Sequence, residues 1–165
     1  MIKSRSNKNK IMNSAQIPKR IRRMKLEDVS FVTSLANQTK ELWVDERVKF
    51  PITEKELTAW IKGHSKDELL VLEVKKGEEW VKVGFCITKI DGFFASIIAF
   101  ALIPEERGKG YGSFFFETLL RRLRERGIKK FMLHVHSDNI RAQKFYKKFG
   151  FRRAKEVIPM YCGHW

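Results

Sequence analysis

The chain has 165 residues, 43% of them hydrophobic and 32% charged, with a formal net charge of +15 at pH 7. That size and balance suit one domain with a real core and exclude a globally disordered chain; the longest apolar run, residues 93–103, is too short to cross a bilayer, and the basic N-terminus lacks the apolar stretch of a signal peptide. Cys86 and Cys162 are the only cysteines, too few for a disulfide framework or a zinc pattern, so free thiols in a reducing cytoplasm and no bound metal are expected.

Residues 1–18, rich in Lys, Asn and Ser, read as a flexible basic extension, and residues 19–165 as a single domain. Residues 21–24 suit a first short strand. Apolar residues at 29, 31, 32, 35 and 36 make a helical stripe over residues 26–37. Residues 41–51 read as an irregular connection holding Trp43 and Phe50. Thr53 is an N-cap, with Glu56 at the capping-box position, for a helix reaching Gly63. Residues 69–74 and 80–90 are strands joined by a turn at Gly77, and residues 93–103 are a buried central strand. A helix begins at Gly110 or Tyr111 and stops before Gly127. Residues 131–136 form a strand, which puts His134 and His136 on one strand face. Ala142, Phe145, Tyr146 and Phe149 then mark a helix that starts at Asp138 or Asn139 and closes at Gly150. Residues 151–158 and 160–165 complete the strands. The order β-α-α-β-β-β-α-β-α-β-β implies an α/β (α+β) fold with a central mixed sheet and helices on both faces.

The segment from Ile103 to Ser113 concentrates the chemistry. It runs Ile103-Pro104-Glu105-Glu106-Arg107-Gly108-Lys109-Gly110-Tyr111-Gly112-Ser113, between a buried strand and a helix. Glycine permits a tight turn and close approach of a ligand to the backbone N–H groups. The following helix directs its unpaired N–H groups and positive dipole end at the same spot, and Arg107 and Lys109 add charge. The product is a pyrophosphate cradle. A Walker loop is absent, and Ser113 stands where a dinucleotide fingerprint needs its third glycine.

This segment resembles the acetyl-CoA loop of the GNAT superfamily of N-acetyltransferases, whose pattern of Arg or Gln, two residues, Gly, one residue, then Gly or Ala is met by Arg107, Gly110 and Gly112. Asn139, Tyr146 and Phe149-Gly150-Phe151 resemble that family's second segment. The resemblance implies acetyl-CoA as cosubstrate. The backbone of Phe100, Ala101 and Leu102 would run beside the pantetheine arm. The amides of Gly108, Lys109, Gly110, Tyr111, Gly112 and Ser113 would hold the pyrophosphate, with Asn139 on the cofactor and Tyr146 near its sulfur as acid. Leu133-His134-Val135-His136 stands where protein N-terminal acetyltransferases of the superfamily often carry Leu-Glu-Val-Arg, a departure that makes His134 the candidate base, with a water chain as the alternative. The implied reaction is direct attack by a primary amine on the thioester, in a monomer or homodimer.

Residues 26–65 are slightly acidic, and Glu41, Asp45 and Glu46 flank Trp43, a set that suits a cationic amine acceptor. Small amines and protein or peptide amines both fit. Cys162 is the weaker alternative, as an acyl carrier, and His64 and His164 read as surface or terminal residues. The basic charge falls in two blocks, +9 over residues 1–25 and +10 over residues 104–155. Such clusters also suit polyanion or ribosome contact through the tail, a nucleic-acid-binding module, or a non-catalytic acetyl-CoA-binding regulator.

Overall fold

Four largely apolar segments and one basic edge segment that contributes Ile21 build one sheet. The computed structural model describes residues 13–40, 51–63 and 66–154. Strands β1 (Lys19–Arg23), β2 (Glu68–Lys76), β3 (Glu79–Asp91), β4 (Phe94–Leu102) and β5 (Lys130–Leu133) lie in the order β1-β2-β3-β4-β5. The first four are antiparallel neighbours and β5 joins β4 in parallel, so the sheet is mixed, as the element order implied. Helices α1 (Val29–Gln38) and α2 (Glu54–Gly63) cover one face, and α3 (Tyr111–Glu125) and α4 (Ile140–Lys148) the other.

Both faces of β2 are therefore buried. Leu70, Leu72 and Val74 meet Phe115, Phe116, Leu119 and Leu123 of α3, while Leu69 and Val71 meet Val32, Leu35 and Ala36 of α1. The α2 capping box forms as read: the Thr53 amide donates to Glu56 Oε2 (2.8 Å) and the Glu56 amide to Thr53 Oγ1 (3.2 Å).

β4 contains one surplus residue. Ile87 faces Ala99 while Thr88 faces Ile97, so Ile98 has no opposite number. Ala95 and Ile97 pack toward α3, Ile98 and Ala99 both toward α1 and α2, and Phe100 returns to the α3 side. The β4–β5 ladder runs from Phe94↔Lys130 to Ile97↔Leu133 and ends at this bulge. The strand read over residues 131–136 is thus shorter than expected. It loses its partner where β4 bends away, and His134 and His136 lie beyond it rather than on one strand face. Residues 151–154 form no strand; the remainder of that expected strand, the last one at 160–165, Cys162 and His164 lie outside the described residues. So do His64, Glu41, Trp43, Asp45 and Glu46.

The N-terminal charge is used more locally than a free tail would use it. Residues 13–18 already hold defined structure: Asn13 caps a short 3-10 turn at Ser14–Gln16, and Ile17 packs on the core. Arg22 binds Asp28 through both guanidinium arms (2.7 and 2.9 Å) and reaches Glu73 (3.0 Å), while Lys82 adds a second cation to Asp28 (2.8 Å). Burial opposes the Asp28 charge, but the hydrogen bonds from Arg22 and Lys82 prevail and hold its carboxyl far below the usual range.

Candidate active site

The chain leaves β4 through a 3-10 turn at Pro104–Glu106 and enters α3 at Tyr111. Gly108 (φ 76°) and Gly110 (φ 83°) both take left-handed backbone, which a Cβ would strain. A Cβ at either would meet nothing within 4 Å, so the space beside both glycines is open. The first intrahelical bond of α3 is Phe114 N–H to Gly110 O (3.2 Å), and no side chain caps the helix. The N–H groups of Tyr111, Gly112 and Ser113 are therefore left without intrahelical partners, beside two left-handed glycines. Such a nest of donors at a positive dipole end binds anions. Gly112 answers to packing: a Cβ there would lie 3.4 Å from Leu102 and 3.6 Å from Phe145.

One residue that sequence reasoning did not single out anchors this turn. Glu106 is only 5% exposed, accepts from Lys109 (3.0 Å), and is ion-paired with Lys76 at the end of β2. Burial would raise its pKa, yet the hydrogen bonds from the two ammonium groups hold it below the ordinary carboxylate range. The pairing with Lys76 spans 30 residues, so no local pattern discloses it. Lys109 is thereby engaged with protein. Arg107 also turns inward, donating to the Leu102 carbonyl (3.3 Å) and fixing the end of β4 to the loop.

Beyond the bulge, β4 has no strand on its β5 side among the described residues. Ile103 N–H donates to Val83 O (2.8 Å). By antiparallel alternation the Ala101 backbone turns to β3, while Phe100 and Leu102 direct theirs to the open side. A ligand could there take the place of a strand.

Tyr146 sits where β4, α3 and α4 meet. Its ring lies 5.2 Å from Phe116 and 5.3 Å from Phe145, and Phe116 and Phe145 in turn contact Phe100 at 5.3 and 6.0 Å. Burial, and secondarily the nearby Cys86, pushes the phenol above its ordinary range, so it keeps its proton at any working pH. Cys86 is itself buried and pushed up to about 12, an inert thiol. Asn139 caps α4, its Oδ1 accepting from Ala142 N–H (3.1 Å), which commits the oxygen and leaves the amide nitrogen for a ligand. His134 follows β5 directly and is half-buried; His136 is exposed. Tyr146 thus lies on the face of the sheet that α3 and α4 cover, packed against the same aromatic cluster as Phe100 of β4.

A mixed sheet opened beside a bulged strand, with a glycine turn feeding an uncapped helix, defines the class of acyl-CoA-dependent transferase folds. The chain belongs to the acetyltransferase (GNAT) family, which it matches over residues 35–151. It is 35% identical over 77 residues to a mycothiol acetyltransferase of Thermobispora bispora, a match covering 47% of this chain and 26% of that protein. The match thus spans about a quarter of that relative's length. Among solved structures, the fold is shared with the ribosomal-protein-S18-alanine N-acetyltransferase of Escherichia coli (TM-score 0.64, 21% identity, covering 83% of this chain and 79% of that one). It is shared equally with the PaiA N-acetyltransferase of Thermoplasma acidophilum in complex with coenzyme A (TM-score 0.61, 21% identity, covering 86% and 94%). Among the described residues no helix is long and apolar enough to cross a membrane, and no group of three His, Cys, Asp or Glu side chains could hold a metal ion.

Proposed function

We propose that the protein transfers an acetyl group from acetyl-CoA to a primary amine by direct attack. The observation that carries this reading is the open turn at Gly108 and Gly110 ahead of the uncapped helix α3. The residues there fit the cosubstrate. Amides from Gly108 to Ser113 would hold its pyrophosphate, the outward backbone of Phe100 and Leu102 would pair with its pantetheine amides, and the Asn139 amide nitrogen would contact the same arm. Ala101 would line that arm without donating to it, and Arg107 and Lys109 would shape the loop and add positive charge.

Acetyl-CoA supplies an activated thioester. His134, beside the open half of β4, would take the proton of the attacking amine. The carbon–nitrogen bond forms as the carbon–sulfur bond breaks, and Tyr146 would return a proton to the departing sulfur. A phenol kept neutral by burial suits that role, since it enters every cycle protonated. Backbone N–H groups on the open side of β4 would polarise the acyl oxygen.

The acceptor is an amine, either a small cationic one or a protein or peptide amine. Similarity to a mycothiol acetyltransferase and to an acetyltransferase named for a ribosomal-protein alanine supports that breadth. The test pairs calorimetric titration of acetyl-CoA with labelled acetyl transfer to a panel of polyamines, aminoglycosides and peptides with free N-termini. Binding plus turnover of at least one amine is expected. Absence of acetyl-CoA binding would overturn the reading.

A further inference from the structure

Several cations of β1, β3 and the C-terminal end of α3 are spent on buried carboxylates: Arg20 and Arg22 on Glu73, Arg22 and Lys82 on Asp28, Arg122 and Arg126 on Glu68. Those of α4 are not. Arg141, Lys144, Lys147 and Lys148 are exposed, the helix Ile140–Lys148 contains no acid, and none of the four is ion-paired with a described residue. Phe145, Tyr146 and Phe149 take the opposite side, against the core. At about 100° per residue the four cations fall within an arc of roughly 120°, along about 10 Å of helix. Arg152 and Arg153, both exposed, continue the charge past Gly150.

We propose that the outer face of α4 is a docking surface for double-helical nucleic acid, gripped through its phosphates without reading of bases. The chemistry of the face selects this partner. Its cations repeat about every 5–6 Å, an interval in which a duplex, at about one charge per 1.7 Å, presents several phosphates. Single strands are held chiefly by aromatic stacking, and the exposed residues of α4 include no aromatic ring. A bilayer would require an apolar edge to bury, and Ile140 at one end is the lone apolar residue on this face. A duplex needs neither rings nor apolar insertion. The surface lies on the same helix as Tyr146 but points away from it, so the duplex would hold the domain without entering the site.

The test uses the full chain and an RNA duplex of about 20 base pairs, with affinity measured by fluorescence anisotropy across a salt series. The variant R141Q/K144Q/K147Q/K148Q should lose most of the low-salt affinity, and the slope of log K against log salt should become shallower by about 3–4. The charge-keeping variant R141K/K144R/K147R/K148R should bind like the wild type. Circular dichroism and acetyl-CoA affinity should be unchanged in both. Any of these outcomes would overturn the proposal: no duplex binding by the wild type, unchanged binding by the glutamine variant, tighter binding of poly(U) or anionic vesicles than of duplex, or loss of acetyl-CoA affinity in step with duplex affinity. A chain lacking residues 1–12 should keep most of the binding; if that deletion alone removes it, the tail and not α4 is the contact.

Discussion

Lys109 Nζ lies 3.0 Å from Glu106 Oε2, while Lys76, at the end of β2, is paired with the other oxygen of the same carboxylate. A nearly buried acid therefore holds the glycine turn against the β2–β3 hairpin. Glu106→Gln should lower the melting temperature by about 3 °C and weaken acetyl-CoA binding severalfold, because the loop amides lose their fixed placement. Lys109→Ala, which leaves Lys76 in place, should change that affinity less than about threefold. Calorimetry on both variants decides the matter: tighter binding by the glutamine variant would mean that net charge, not placement, governs the loop.

Gly110→Asp should abolish acetyl-CoA binding in a folded protein. The substitution asks an L-residue to hold φ 83° and aims a carboxylate into the space where phosphate is expected. The strain should cost about 1–2 kcal/mol of stability. Thermal melts with and without acetyl-CoA measure both effects, and a variant that still shifts with ligand would place the phosphates elsewhere.

Tyr146→Phe should reduce kcat by about 10- to 1000-fold and leave acetyl-CoA affinity nearly unchanged, since the ring still fills its place among Phe116, Phe145 and Phe151. With the phenol raised by burial, its proton is retained as pH climbs through the ordinary tyrosine range. The wild-type rate should therefore show no loss of an acid near pH 10. His134→Ala should also lose activity, most of all at lower pH, where fewer alternative bases are deprotonated. Rate profiles of the three proteins against pH test these statements together.

Asp28, Glu73 and Glu106 all titrate below the ordinary carboxylate range in the folded chain, each because hydrogen bonds from cations outweigh burial. For groups lowered in this way, the stabilisation is full above the unfolded value near pH 4 and drains away as pH falls below it. Denaturant melts should show a plateau from about pH 5 to 7 and a steep decline under pH 4. Asp28→Asn should cost about 3 kcal/mol at pH 7 by leaving Arg22 and Lys82 facing a neutral amide, and should flatten the acid decline. An unchanged acid limb in that variant would assign the decline to other groups.

The features legible in the sequence were local ones. The left-handed glycines, the Thr53–Glu56 cap and the apolar side of α4 each rest on residues within a few positions of one another. What escaped was non-local. The early end of β5 at Leu133 depends on a surplus residue in β4, Ile98, far from it in sequence. Glu106 needs a lysine from β2 to be stable where it lies. The +9 block over residues 1–25 reads as charge available to a polyanion, whereas Arg20, Arg22 and Arg23 are paired with carboxylates of β2 and of the turn before α1. The acceptor loop with Trp43 falls outside the described residues.

The bulge at Ile98 has a property that substitutions cannot reproduce. Because Ile98 and Ala99 share a face, removing Ile98 would leave every other side chain of β4 pointing as it does now. Only the surplus length would vanish, and the ladder beyond Ile97 would be free to zip onward, drawing His134 into the strand that the sequence alone suggests. The unpaired side of β4 is in that sense a miscount by one, kept open by arithmetic rather than by any particular side chain.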